Sequence, residues 1–372
     1  MKRFDSQHYV PILRWKKAER TALARLYEAD SGCITPMIEI VPENLIRKDP
    51  KGEIVNLSPE EAINKIVSQI SKHWGSRQLY IDVGLLSPSA LFFDGNHFLT
   101  MVSQHASTLG LSFIPVIRVA KDQTYNSAVK AVTLIHGQGA CIRLTHEEIK
   151  QPELANKIDT LLAFLEISPE NVDLMIDFQF VGQGLPTFKT IYKVLPHVDE
   201  WRNLIWAGGA FPEDLSKLKK NDIYWLPRND WTSWREQIVR SQSGLRLPIF
   251  SDYTIQHPRY RDLTGRLMNI SASIRYTSEK DWVIMRGESI SAEGGPGTSQ
   301  WPANAALLCE REEYCGDGFS YGDRYIKNES SAFDKPGNAT TWLCAGINHH
   351  MTFAVRQLAT LFDSSIVALS SS

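Results

Sequence analysis

SPEEAINKIVSQISKHWGSRQLYIDVGLL, residues 58–86, reads as a helix followed by a buried strand. Ser58 with Glu61 three residues on is a capping-box start, and the stretch to Trp74 is amphipathic. LYIDVGLL (79–86) is a short apolar run carrying one charge, Asp82. Such runs suit strands covered on both faces, as in a parallel sheet. The alternation extends in both directions. Further runs are YVPILRW (9–15), ITPMIEI (34–40), FIPVIRV (113–119), ACIRL (140–144), LMIDFQFV (174–181), LIWAGGA (204–210), IYWLPR (223–228) and PIFSDYT (248–254). NHFLTMVSQHASTLG (96–110), PELANKIDTLLAFLEI (152–167) and NDWTSWREQIVRS (229–241) read as intervening helices. Repeated strand–helix units without a dinucleotide glycine fingerprint predict an α/β fold, a TIM-like (β/α)8 barrel. Nine candidate strands are one too many, and IYWLPR is the expected outsider.

Beyond Asp252 the pattern changes. ASIRYT (272–277) and DWVIMRG (281–287) predict a β-hairpin, SAEGGPGTSQ (291–300) a flexible loop, and WPANAALLCEREEY (301–314) a helix. FSYGDRYIKNESSAFDKPGNAT (319–340) reads mostly as loop, and INHHMTFAVRQLATLF (347–362) as a closing helix. The expected organisation is a barrel core over 9–255, a hairpin-containing C-terminal elaboration over the barrel mouth (256–346), and the closing helix (347–362).

The composition, 43% hydrophobic with ten tryptophans, excludes a disordered chain. Lys plus Arg total 40 against 42 Asp plus Glu, a net charge of −2, so bulk charge does not indicate nucleic acid. RYRDLTGR (259–266) and SKLKKND (216–222) are basic stretches that read as solvated surface. No apolar run is long enough to span a membrane, the N-terminus does not read as a secretory signal, and five scattered cysteines suit a reduced, cytoplasmic chain. P-loop, G-x-S-x-G and H-E-x-x-H motifs are absent, and nothing in the cysteine and histidine spacing indicates zinc.

Charges embedded near the C-terminal ends of apolar runs are the functional signal. Glu39, Asp82, Asp177 and Asp252 are expected to meet Arg14, Arg118 and Arg143 at one barrel mouth, where such folds build their sites. Two readings compete. In one, the arginines Arg14, Arg118 and Arg143, with Lys16, Gln179 and Arg228, bind an anion in an open pocket while the carboxylates and His257 act as acid and base or hold Mg²⁺ or Mn²⁺. In the other, the charges form a ring of neutralising ion pairs. Arg275, Asp323 and His350 are candidates to reach in from the later elements. Neighbouring His349 and His350 point apart on a helix, so one of them at most is expected to act.

The blocks YVPILRWKKAERTAL, FSDYTIQHP, SASIRYTSEKDWVIMRG, FSYGDRYI and GNATTWLCAGINHHMTFAVRQL resemble the beta protein family of bacteria and phages, over essentially Tyr9 to Leu361. The resemblance implies a bacterial, phage or prophage setting and a link to phage–host conflict or anti-phage defence. It carries no catalytic residues over to this chain. The expected function is hydrolysis of a phosphodiester or nucleotide-like anion. The alternative is a non-enzymatic module that recognises a protein or nucleotide at the mouth.

Overall fold

The computed structural model describes residues 3–370 other than 120–121, 242–243, 263–269, 292 and 333, with side chains described to Asp363. The second half of RYRDLTGR therefore lies outside the described residues. Eight parallel strands close into a barrel: β1 (Tyr9–Arg14), β2 (Met37–Glu39), β3 (Tyr80–Asp82), β4 (Ile114–Ile117), β5 (Ala140–Thr145), β6 (Val172–Phe180), β7 (Asn203–Gly209) and β9 (Ile249–Asp252), which pairs with β1. The expected outsider is the outsider. Asp222–Pro227, β8, pairs antiparallel with β11 (Asp281–Arg286), which also pairs with β10 (Ile274–Thr277) in a three-stranded sheet. The hairpin turn falls on Ser278–Lys280, with Thr277 opposite Trp282.

Helices α1 (Lys17–Ala24), α2 (Pro59–His73), α3 (Phe98–Thr108), α4 (Gln123–His136), α5 (Leu154–Leu165), α6 (Phe188–Tyr192) and α7 (Asn229–Arg240) alternate with these strands. The capping box of α2 forms as the sequence predicts: Glu61 N–H donates to Ser58 Oγ at 3.2 Å, and Ser58 N–H donates to Glu61 Oε2 at 2.9 Å. After the hairpin come α8 (Gln300–Cys309), α9 (Tyr321–Glu329) and α10 (Ala339–Ser370). Two expectations need correction. α9 occupies a stretch read as mostly loop, and α10 starts eight residues before the predicted closing helix. Ser320 caps α9 by accepting from Asp323 N–H at 3.1 Å. Gly322 in α9 serves packing: a Cβ would lie 2.1 Å from the Ala345 carbonyl of α10.

Strand alternation sorts the core into two layers. Val10, Ile12, Met37, Tyr80, Val116, Cys141, Met175, Ile205 and Ile249 fill the barrel interior. Leu13, Ile38, Ile81, Ile142, Ile176, Trp206 and Phe250 face the helices. The interior is polar at both ends. At the N-terminal end Asp173, fully buried, accepts from Arg202 Nε at 2.7 Å and Nη2 at 2.6 Å, from Asn203 Nδ2 at 2.7 Å, and from the Tyr80 hydroxyl at 2.8 Å. Phe4 N–H donates to Asn203 Oδ1, tying the N-terminal segment across that end.

A candidate functional site at the barrel mouth

Register places the charges before any side chain is considered. Arg14 pairs with Glu39, and Glu39 with Asp82, so the C-terminal ends of β1, β2 and β3 set three charges side by side. All share the parity of the inward apolar residues. Across the barrel, Arg143 of β5 fills the space between them. Its Nη1 donates to Glu39 Oε1 at 2.8 Å and Asp82 Oδ2 at 2.7 Å. Its Nε and Nη2 donate to Asp177 Oδ2 at 3.0 and 2.7 Å, and Nη2 also donates to the Tyr253 hydroxyl at 2.7 Å. Tyr253 donates in turn to Asp177 Oδ2 at 2.6 Å. Arg143 is 2% exposed, Asp82 and Asp177 1%.

The open pocket expected among these groups is therefore absent, and the inner four realise the alternative, interlocking ion pairs. A cation among three carboxylates satisfies them at the cost of its own hydration, which only dense hydrogen bonding offsets. Burial pushes the Asp82 carboxyl up, but the Arg118 and Arg143 guanidiniums outweigh it and hold it below the usual carboxylate range. Burial pulls the Arg143 guanidinium down, and Tyr253, Asp177, Glu39 and Asp82 together raise it well above the usual range.

Two arginines line the outer side of this cluster. Arg118 follows β4 and lies across the end of β3, its Nη1 and Nη2 donating to the two Asp82 oxygens at 3.3 and 2.9 Å. Its side chain is 21% exposed. Gly84 makes this placement feasible, since a Cβ there would sit 1.7 Å from Arg118 Nη1. Arg14 Nη2 donates to the carbonyls of His257 and Pro258 at 2.8 and 2.7 Å, fixing the loop after β9 over the mouth. Its Nε is buried without a hydrogen-bond partner among the described residues, 3.9 Å from Glu39 Oε2. Beyond it, Lys16 bonds Glu43 at 2.6 Å, Tyr260 donates to the same carboxylate, and Lys16 and Arg14 both lie over the Tyr260 ring. His257 sits at this rim; its Nδ1 accepts from Arg259 N–H, and burial lowers its pKa.

The strand ends share one turn geometry. Gly84 N–H donates to Asp82 Oδ1, Gln179 N–H to Asp177 Oδ1 and Thr254 N–H to Asp252 Oδ1, at 2.7–2.9 Å. Gln179 and Thr254 take φ of 54° and 58°. A non-glycine residue in that region costs on the order of 1 kcal/mol or more, and such strain gathers at functional sites.

Five expected site residues lie elsewhere. Asp252 has the parity of Phe250, not of the inward residues, so it points outward under α10, and Tyr253 takes the inward slot. Asp252 accepts from the Tyr9 hydroxyl at 2.5 Å and lies 2.8 Å from His350 Nε2. His350, buried on α10, also meets Thr277 Oγ1 at 2.8 Å, so it holds the closing helix to β9 and the hairpin. Asp323 is buried in α9 against Tyr276, Ser320 and His349. Both histidines are thus engaged, each with its own aspartate. Arg228 is wholly buried, its Nη1 donating to the Ser278 carbonyl and Gln357 Oε1. Arg275 donates to the Ile255 carbonyl at 2.9 Å and lies over the Phe211 ring, anchoring the chain after β9. The Mg²⁺ or Mn²⁺ expectation finds no cradle: among the described residues no group of three or more His, Cys, Asp or Glu side chains is arranged to hold a metal ion. A groove of 340 Å³ opens instead outside the barrel between α4 and α5, beside Val119 and Phe164. Tyr253 and Asp173 escaped the sequence reading: Asp173 shares the parity of Asp177, whereas reading Asp252 as inward puts Tyr253 on the other face.

A closed parallel barrel with an arginine–carboxylate lattice at its C-terminal mouth defines the class. The Beta protein family model matches residues 9–356, and the chain belongs to that family. No curated protein matches it. Among solved structures, the C-terminal domain of a "putative chitinase" from Desulfitobacterium hafniense DCB-2 aligns over 94% of this chain and 90% of that one, at 10% identity and a TM-score of 0.30, a likeness too weak to carry an argument. Among the described residues no helix is long and apolar enough to cross a membrane.

Proposed function

We propose that this barrel binds a small organic anion, phosphate- or carboxylate-bearing, at its C-terminal mouth. The observation that carries the reading is Arg118, whose guanidinium is oriented by both Asp82 oxygens over Gly84 and is still partly exposed where barrel sites are built. A guanidinium held in place loses little freedom when an anion arrives and can contact it bidentately. Recognition fits better than general acid–base chemistry by Asp82 or Asp177, because Arg143, Arg118, Tyr253 and backbone N–H groups already engage their oxygens. Five free thiols suit a reducing, cytoplasmic setting, and a role in phage–host conflict is the setting the family suggests. The hairpin, α8 and α9 would form the elaboration over the mouth (256–346), with a protein partner as the alternative ligand.

Calorimetric titration with phenyl phosphate tests this. Wild type is expected to bind, and Arg118→Ala to bind at least about tenfold more weakly, the loss of one charge-assisted contact of roughly 1.5–3 kcal/mol. Asp82 keeps Arg143 and Gly84 N–H in that variant, so the fold is expected to persist. Equal affinity in the two proteins would remove the assignment.

Turnover of the bound anion is the second reading. It is favoured by the strained Gln179 and Thr254 at the mouth and by Glu39 Oε2, whose nearest cation, Arg14 Nε, stands 3.9 Å away, beyond hydrogen-bond distance. Hydrolysis of bis(4-nitrophenyl) phosphate by wild type, lost in Glu39→Gln while phenyl phosphate still binds, is the expected result. Undiminished hydrolysis in that variant would rule Glu39 out.

A further inference from the structure

We propose that the anion is a nucleotide whose base stacks on Phe180, an inference that rests on the anion-binding reading above. Phe180 closes β6 at the mouth and is 49% exposed. The backbone creates that exposure. Strand pairing runs regularly from Asp173 to Asp177, then shifts, so that Phe180 comes opposite Gly209 after Gln179 has taken its left-handed turn. Bulges of this kind at barrel rims re-aim a side chain. The Phe180 ring stands 4.9 Å from the His257 imidazole, inclined by 31°.

His257 belongs to the loop that Arg14 grips through the carbonyls of His257 and Pro258. The ring and the guanidinium thus both meet this loop, the ring at the His257 imidazole and the cation at the His257 and Pro258 carbonyls. A planar base on Phe180 and a phosphate toward Arg14 and Arg118 would use both. Stacking suits any base, since every base has a π-face, and contributes on the order of tenfold in affinity.

The test is calorimetric titration of the full chain with inorganic phosphate, ribose 5-phosphate and adenosine 5′-monophosphate, in wild type and Phe180→Ala. The side chain is half exposed, so the variant is expected to melt at the wild-type temperature. The proposal expects wild type to bind the nucleotide about tenfold more tightly than ribose 5-phosphate. It also expects Phe180→Ala to erase that preference and leave ribose 5-phosphate binding unchanged. Equal affinities for the two esters in wild type would overturn base stacking and leave anion binding standing. A preference that survives in Phe180→Ala would overturn the role of this ring. Failure of all three compounds to bind wild type would overturn both readings together.

Discussion

Arg143→Ala is expected to lose about 3–5 kcal/mol of stability at pH 7, enough to unfold a marginal domain. The guanidinium is the shared partner of Glu39, Asp82 and Asp177, and Arg118 and Tyr253 cannot replace it at all three. Three carboxylates would remain, each almost wholly buried beneath the mouth. The pH dependence separates this cause from lost packing. In wild type the Asp82 carboxyl is depressed, so its contribution is complete above the unfolded value of about 3.9 and is lost only as pH falls through the lower folded value. Between pH 7 and pH 5 that contribution stays constant. In the variant Asp82 loses one of the two guanidiniums that outweigh its burial, so its folded-state carboxyl rises and the variant is penalised less as pH falls. The deficit should therefore shrink from pH 7 to pH 5 in guanidinium denaturation. A deficit under 1 kcal/mol, or one that does not change with pH, contradicts the lattice as described. Arg143→Lys should fall between, since a point charge cannot reach three carboxylates in the geometry of a fork.

Asp173→Ala is expected to cost a similar amount, about 3–5 kcal/mol, from the opposite end of the barrel. Asp173 accepts four hydrogen bonds, and its loss strands Arg202 in the interior with one bond left, to the Gln138 carbonyl at 2.9 Å. Asn203 and the Tyr80 hydroxyl lose a partner with it. Because this cluster lies below the apolar interior layer and the anion site above it, phenyl phosphate affinity of the folded fraction should be unchanged. A stable variant, or a folded one that no longer binds, would contradict that separation.

The two clusters differ in how well the chain announces them. Glu39, Asp82, Asp177, Arg14, Arg118 and Arg143 each interrupt an apolar run near its end, and in a parallel barrel those ends share one rim. Their convergence follows from the strand order alone. Asp252 interrupts its run in the same way yet points outward, because a one-residue change of parity moves a side chain to the other face. The composition of a run buried on both faces does not reveal which parity is inward. Whether the converging charges leave a cavity was also illegible, since it depends on how far the Arg143 side chain reaches across the barrel. α9 was missed for a different reason. Its Gly322 looks like a loop residue until α10 is packed against it, and Ser320 acts there as the N-cap.

The most direct measurement is a crystal structure of the chain soaked with phenyl phosphate. The account predicts the phosphate oxygens within hydrogen-bond distance of Arg118 at the C-terminal mouth, with the Arg143 lattice intact beneath. A phosphate seated in the outer groove between α4 and α5, with the mouth empty, would contradict it.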